Sequence, residues 1–139
     1  MPDLSKILSA TTPLTLAALA RGAQPLVLAD LARASSSRVV FIAPDDAAMQ
    51  GIADSAAFFA PELEVIALPA WDCLPYDRAS PALSVSARRL AALQRLQAKP
   101  TGPQLLVTTI NAALQRVLTP FRIRENVRLL KPGDRKSVV

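Results

Sequence analysis

Arg38-Val39-Val40-Phe41-Ile42-Ala43, followed by Pro44-Asp45-Asp46, is the stretch on which the fold turns. A run of β-branched and aromatic residues without polar alternation reads as a strand buried on both faces, the form that strands take in a parallel sheet covered by helices. Pro44 cannot extend the hydrogen-bond ladder, and Asp45 or Asp46 offers a carboxylate to the free amides of a helix start. That helix is expected from Ala47 to Phe59 and stops at Pro61.

The same alternation extends in both directions. Leu63 to Leu68 and Gln104 to Thr109 are further continuous apolar strands. Between them lie a proline-rich loop, Pro69 to Pro81, and a helix that Ser84 can cap, running to Gln97 with Leu90, Leu93 and Leu96 on one side. Pro100 to Pro103 is a turn, Asn111 to Val117 a short helix opened by a threonine cap, and Val127 to Leu130 reads as the start of another strand. Towards the N-terminus, Asp3 to Ser9 forms a short helix and Leu14 to Leu19 a weak first strand closing on Arg21-Gly22. Gln24 to Arg33 is a helix with Leu28, Leu31 and Ala32 on one side and Pro25 in its first turn. Strands alternating with helices imply right-handed crossovers, so the expected fold class is α/β, a parallel sheet with helices on both faces.

Composition narrows what such a fold does here. The 139 residues suffice for one core but not comfortably for two domains, and 51% hydrophobic against 19% charged residues is the balance of a folded chain. Sixteen Lys and Arg against eleven Asp and Glu give a net charge of +5. Arg122, Arg124, Arg128, Lys131, Arg135 and Lys136 all fall near the C-terminal end, so the excess is local and reads as a solvated face rather than a nucleic-acid patch. Histidine is absent, which removes the commonest metal ligand and general base. Cys73 is the only cysteine, so no intrachain disulfide forms. Asp3, Thr11, Thr12 and Pro13 spoil a signal peptide, and Arg21, Gln24, Pro25 and Asp30 interrupt each apolar window of membrane-spanning length, so a cytoplasmic chain with no membrane partner is expected.

Parallel α/β domains commonly bind nucleotides, yet the cradle G-x-x-x-x-G-K-[ST] is not in the sequence. Where it belongs, the chain reads Arg21-Gly22-Ala23-Gln24-Pro25-Leu26, and Pro25 removes an amide donor. Gly22, Gly51, Gly102 and Gly133 are too far apart for a dinucleotide fingerprint. No G-x-S-x-G elbow or paired-cysteine metal spacing occurs, so no catalytic residue, cofactor ligand or metal ligand is assigned.

The least ordinary stretch is Pro69-Ala70-Trp71-Asp72-Cys73-Leu74-Pro75-Tyr76-Asp77-Arg78-Ala79-Ser80-Pro81, followed by Ser86-Ala87-Arg88-Arg89-Leu90 and later by Thr108-Thr109-Ile110-Asn111-Ala112-Ala113-Leu114-Gln115-Arg116-Val117. In this order the motifs resemble the N-terminal region of bacterial transcription-repair coupling factors, over roughly Pro13 to Asp134. The resemblance implies a degenerate P-loop-NTPase-like domain without a phosphate loop, akin to the first domain of the excision nuclease's damage-recognition subunit. It places that incomplete domain at residues 1–121, with 122–139 beginning the next domain.

The resemblance further implies a non-catalytic segment of a protein that displaces stalled RNA polymerase at DNA lesions and recruits the excision nuclease's damage-sensing subunit, mainly through the following domain. ATP and magnesium are implied for the full-length translocase, together with contacts to DNA and RNA polymerase, and no cofactor for this segment. Two other readings stay open: a nucleotide-binding helicase or NTPase fragment with an atypical phosphate site at the Gly22 turn, and a flavodoxin-like small-ligand regulator with its crevice at Trp71.

The candidate site is the loop and the helix after it: Trp71, Asp72, Pro75, Tyr76, Asp77 and Arg89. Trp71 and Tyr76 are partner contacts or caps on the core. Arg89 falls at the edge of the Leu90, Leu93, Leu96 stripe and wants a carboxylate, which Asp72 or Asp77 can supply as a pin between loop and helix.

Overall fold

A computed structural model describes residues 3–73 and 79–126. Three strands, β1 (Val39–Ala43), β2 (Glu64–Leu68) and β3 (Gln104–Thr109), form one parallel sheet in the order β1-β3-β2. Val39 pairs with Leu105 and Ala43 with Thr109 on one side of β3, and Glu64 pairs with Gln104 and Leu68 with Thr108 on the other. The order follows from the crossovers: α3 (Asp46–Phe59) carries the chain from β1 past one strand position to β2, and α4 (Leu83–Gln97) brings it back to the middle.

The two faces of the sheet are covered unequally. On one, α2 (Gln24–Ala34) and α3 pack Ala29, Ala32, Met49, Ile52, Ala53 and Ala56 against Ala43, Leu105 and Val107. Alanine on the helix faces lets their backbones approach the sheet closely, and the larger strand residues fill the space between. On the other, α4 packs Ala92, Leu93 and Leu96 onto Ile66, Leu68 and Leu106. The smaller helices are α1 (Leu4–Leu8), α5 (Ile110–Leu114) and α6 (Pro120–Asn126), the last burying Ile123. The α/β class with a parallel sheet between helices is as expected.

Local chemistry sets the helix starts. Asp45 accepts the Ala48 N–H at 2.7 Å to open α3, and Thr109 accepts the Ala112 N–H at 3.3 Å to open α5. Ser84 does not cap α4: the helix begins one residue earlier, at Leu83, after Ala82, which has no side chain to cap it.

Two strand expectations are corrected. β1 is not buried on both faces: among the described residues it is an edge strand, α4 packs on β2 and β3, and Val40 and Ile42 are each 54% exposed on the side away from α2 and α3. Leu14 to Leu19 is not a strand. Leu14 and Leu16 are exposed, a turn interrupts the run, and Ala18 takes a left-handed φ of 58°, which breaks an extended conformation. A 3₁₀ turn, Arg21–Ala23, then leads directly into α2, so the Gly22 turn is not a strand-to-helix loop. The reading of Val127 to Leu130 as a strand falls outside the described residues.

The start of the sheet is tied by polar side chains rather than by apolar packing. Arg38 donates to the Gln104 side-chain oxygen and to the carbonyls of Leu96, at 3.3 Å, and Ala98, at 3.0 Å. It thereby satisfies two carbonyls at the end of α4 that the helix itself leaves open. Gln104 passes the network on to Glu64 at 2.5 Å, and Arg95 completes it with an N–H to the other Glu64 oxygen at 2.9 Å. No helix among the described residues is long and apolar enough to cross a membrane.

Candidate functional site

The carboxyl ends of β2 and β3 converge on the loop that follows β2. The Thr108 hydroxyl donates to the Leu68 carbonyl at 2.9 Å, locking the two strand ends together. Pro69 is buried immediately beyond, and the chain then turns outward through half-buried Trp71, exposed Asp72 and half-buried Cys73.

Arg89 organises this corner. It lies on the inner face of α4 and is only 1% exposed, making it the largest fully buried side chain among the described residues. Its guanidinium stands 4.5 Å from the centroid of the Trp71 ring and donates to the Pro69 carbonyl, while its Nε has no partner. Burial pushes the guanidinium down from its ordinary value, and the negative face of the indole supplies part of the stabilisation that water no longer gives.

The expected pin between Asp72 and Arg89 is corrected by this arrangement. Both Asp72 oxygens accept the Ala82 N–H at 3.3 Å, so the carboxylate serves the amide just ahead of α4, where no local side chain is available. Nor does Arg89 lie at the edge of a leucine stripe. The buried face of α4 runs through Arg89, Ala92, Leu93 and Leu96, one step round from Leu90, which is 37% exposed. Asp77, Pro75 and Tyr76 lie outside the described residues.

Gln115 is the site residue that side-chain typing missed. Its side-chain oxygen accepts the Trp71 N–H at 2.9 Å, from a segment forty-four positions further on. Two of the motifs quoted above therefore meet in space, the loop after β2 and the Thr108 to Val117 segment after β3. The signal was present, since Gln115 stood inside a quoted motif, but a neutral amide carries no chemistry that points to a partner. Among the described residues no three acidic or cysteine side chains gather to hold a metal ion. A Cβ built on Gly22 would meet no atom within 4 Å, so nothing approaches that turn closely enough to require glycine. The chemistry of this corner is mechanical: it fixes one loop against two strand ends and a helix.

No family model matches the chain. The transcription-repair-coupling factor of Haemophilus influenzae is 31% identical to it over 114 residues, covering 82% of this chain and 10% of that protein. The factor of the same name from Escherichia coli K12 is 30% identical over 111 residues, covering 80% of this chain and 9% of that protein. The chain thus spans about a tenth of the length of the curated relatives it matches.

Proposed function

A chain related to transcription-repair coupling factors over about four-fifths of its length is, we propose, a non-catalytic N-terminal segment of such a factor, which scaffolds recruitment of the repair machinery. The likeness to proteins that cover transcription and repair in their name is the observation that carries this reading. The sequence around Gly22, with no lysine to reach a phosphate and Pro25 in place of an amide donor, supports a segment that leaves ATP and magnesium to other domains. Those domains would displace RNA polymerase stalled at a lesion. The segment would work with the domain that follows it, which receives the excision nuclease's damage-sensing subunit.

In this reading the Trp71–Arg89–Gln115 corner is a positioning element. It sets the loop at the carboxyl end of the sheet, where α/β proteins usually present their recognition loops. Calorimetric titration tests the proposal on this chain and on a version extended through the next domain. Binding of the damage-sensing subunit by the extended version, with no heat from magnesium ATP in either, is the expected result. Heat from ATP with the 139-residue chain would instead make it a nucleotide-binding fragment.

A further inference from the structure

The carboxyl end of α4 carries a polar side chain that the fold leaves unanswered. Both side-chain amide atoms of Gln97, Nε2 and Oε1, are sealed from solvent without a hydrogen-bond partner. Such atoms give up their bonds to water and receive nothing in return, so a native fold that keeps them calls for a reason. Helix capping does not supply one, because Arg38 already donates to the Leu96 and Ala98 carbonyls at this helix end.

Gln97 lines a cavity of about 300 Å³ with Gln94, Ala98 and Arg124, where α6 packs beside the end of α4. Arg124 is exposed and has no hydrogen-bond or ion-pair partner among the described residues. Glu125, the nearest acid in sequence, faces Arg122 instead, at 4.0 Å. No carboxylate lines the cavity. The sequence around Arg124 adds to the positive charge, since residues 122–136 hold six Lys and Arg against Glu125 and Asp134.

A carboxamide presents donors and an acceptor side by side, which is the complement of a peptide unit with its N–H and C=O. A guanidinium matches a carboxylate through two parallel hydrogen bonds. We propose that this cavity receives an acidic peptide segment of a partner protein: Arg124 takes a carboxylate, and the Gln97 carboxamide turns about its side-chain torsions to pair with the peptide backbone. Binding then gives the amide the hydrogen bonds it lacks, a gain that a free carboxylate cannot offer in full. Nucleic acid is the poorer fit. No aromatic side chain lines the cavity to stack a base, and Arg124 is the one cation among the lining residues, whereas a phosphate backbone is held by several.

Titration of hexaglutamate peptide into the isotope-labelled 139-residue chain, followed by NMR, reads the cavity directly. The Gln97 side-chain NH2 and Arg124 Nε–H signals should shift together and saturate. Arg124→Gln should weaken binding about fivefold or more, through loss of a charge-assisted hydrogen bond. Gln97→Leu should weaken the peptide by a like factor while leaving the response of Arg124 to free glutarate unchanged. Backbone signals of the three strands that stay in place in both variants show that the fold is intact. Peptide shifts that miss Gln97 and Arg124, or that survive both substitutions, would overturn the proposal. So would glutarate binding as tightly as the peptide, which marks a plain anion site, or oligothymidine binding more tightly, which marks nucleic acid as the occupant.

Discussion

The Arg89 guanidinium lies 4.5 Å from the centroid of the Trp71 ring, and the same side chain donates to the Pro69 carbonyl two residues earlier in the loop. One buried cation thus holds both the backbone and the side chain of the turn that leaves β2. A desolvated contact of this kind contributes about 2 kcal/mol. The described start of the loop is held from inside the core.

Truncating Arg89 should therefore be expensive for the fold. Arg89→Ala leaves the Pro69 carbonyl without its donor and a void beneath the indole, and should lower unfolding free energy by about 3 kcal/mol. Arg89→Met refills most of the volume without a buried charge and should lose only about half as much. Arg89→Lys keeps the charge but loses the planar stack, and should be worse than methionine. Urea denaturation ranks the three; a lysine variant as stable as the parent would refute the stacking argument.

Trp71 is the only tryptophan, so its fluorescence reports on this corner alone. In each Arg89 variant the emission should shift to the red as the indole loses its partner and meets more water. A double-mutant cycle between Arg89→Met and Trp71→Leu should give a coupling energy of about 1 kcal/mol or more. A value near zero would mean that the two side chains are neighbours without an energetic link.

The order of elements from β1 to α5 was legible because each carries its own period, and of the two aspartates expected to open α3 it is Asp45 that caps it; the strand expected at Leu14 to Leu19 and the unexpected helix α6 were not legible from period. What could not be read was anything set by sheet order. Arg38 to Ala43 looks like a central strand, yet among the described strands β1 is at an edge, because β3 and β2 both lie on the same side of it. Of the two carboxylates expected for Arg89, Asp72 is taken by the backbone amide at Ala82, while Asp77 lies outside the described residues; an aromatic face meets the guanidinium. Gln115 was invisible as a site residue because its role depends on β2 and β3 ending side by side.

Helix capping gives an independent check on the fold. Asp45→Ala removes the acceptor for the Ala48 N–H at the start of α3, the helix that supplies Met49, Ile52, Ala53 and Ala56 to the core. The expected loss is about 1 kcal/mol. Asp45→Asn and Asp45→Ser should recover most of it, since either side chain can accept the same bond. Thermal unfolding of the three variants separates a cap from a general effect of charge.

The Glu64 carboxyl is held below its ordinary value of 4.5, most strongly by the hydrogen bond from Gln104, which outweighs the opposing effect of burial, and further by Arg95 and Arg38. A depressed folded-state value means that the unfolded chain takes up the proton first. The stabilisation is therefore fully present above about pH 4.5 and is lost as the pH falls through the lower folded value. Glu64→Gln should be less stable than the parent near neutral pH, with the gap closing as the pH is lowered from 5 towards 3. A gap that stays constant over that range would remove Glu64 from the acid response. Because the side chain is partly open to solvent, added salt should narrow the gap at neutral pH.

The segment from α5 into α6 exposes several large apolar side chains: Leu114 is 80% exposed and Phe121 62%, with Val117 and Leu118 between them. Such patches drive association when nothing covers them. These side chains contribute little to the core, whose nearest members in this segment are Ala112 and Ile123. Leu114→Glu with Phe121→Glu should therefore leave the denaturant midpoint almost unchanged, within about 0.5 kcal/mol. Sedimentation velocity over a range of concentrations should show less self-association in the double variant than in the parent. If the double variant unfolds instead, the two side chains hold this end of the chain in place rather than lying idle on its surface. Equal association in both proteins would direct attention to other exposed apolar side chains, among them Val40 and Ile42 of β1.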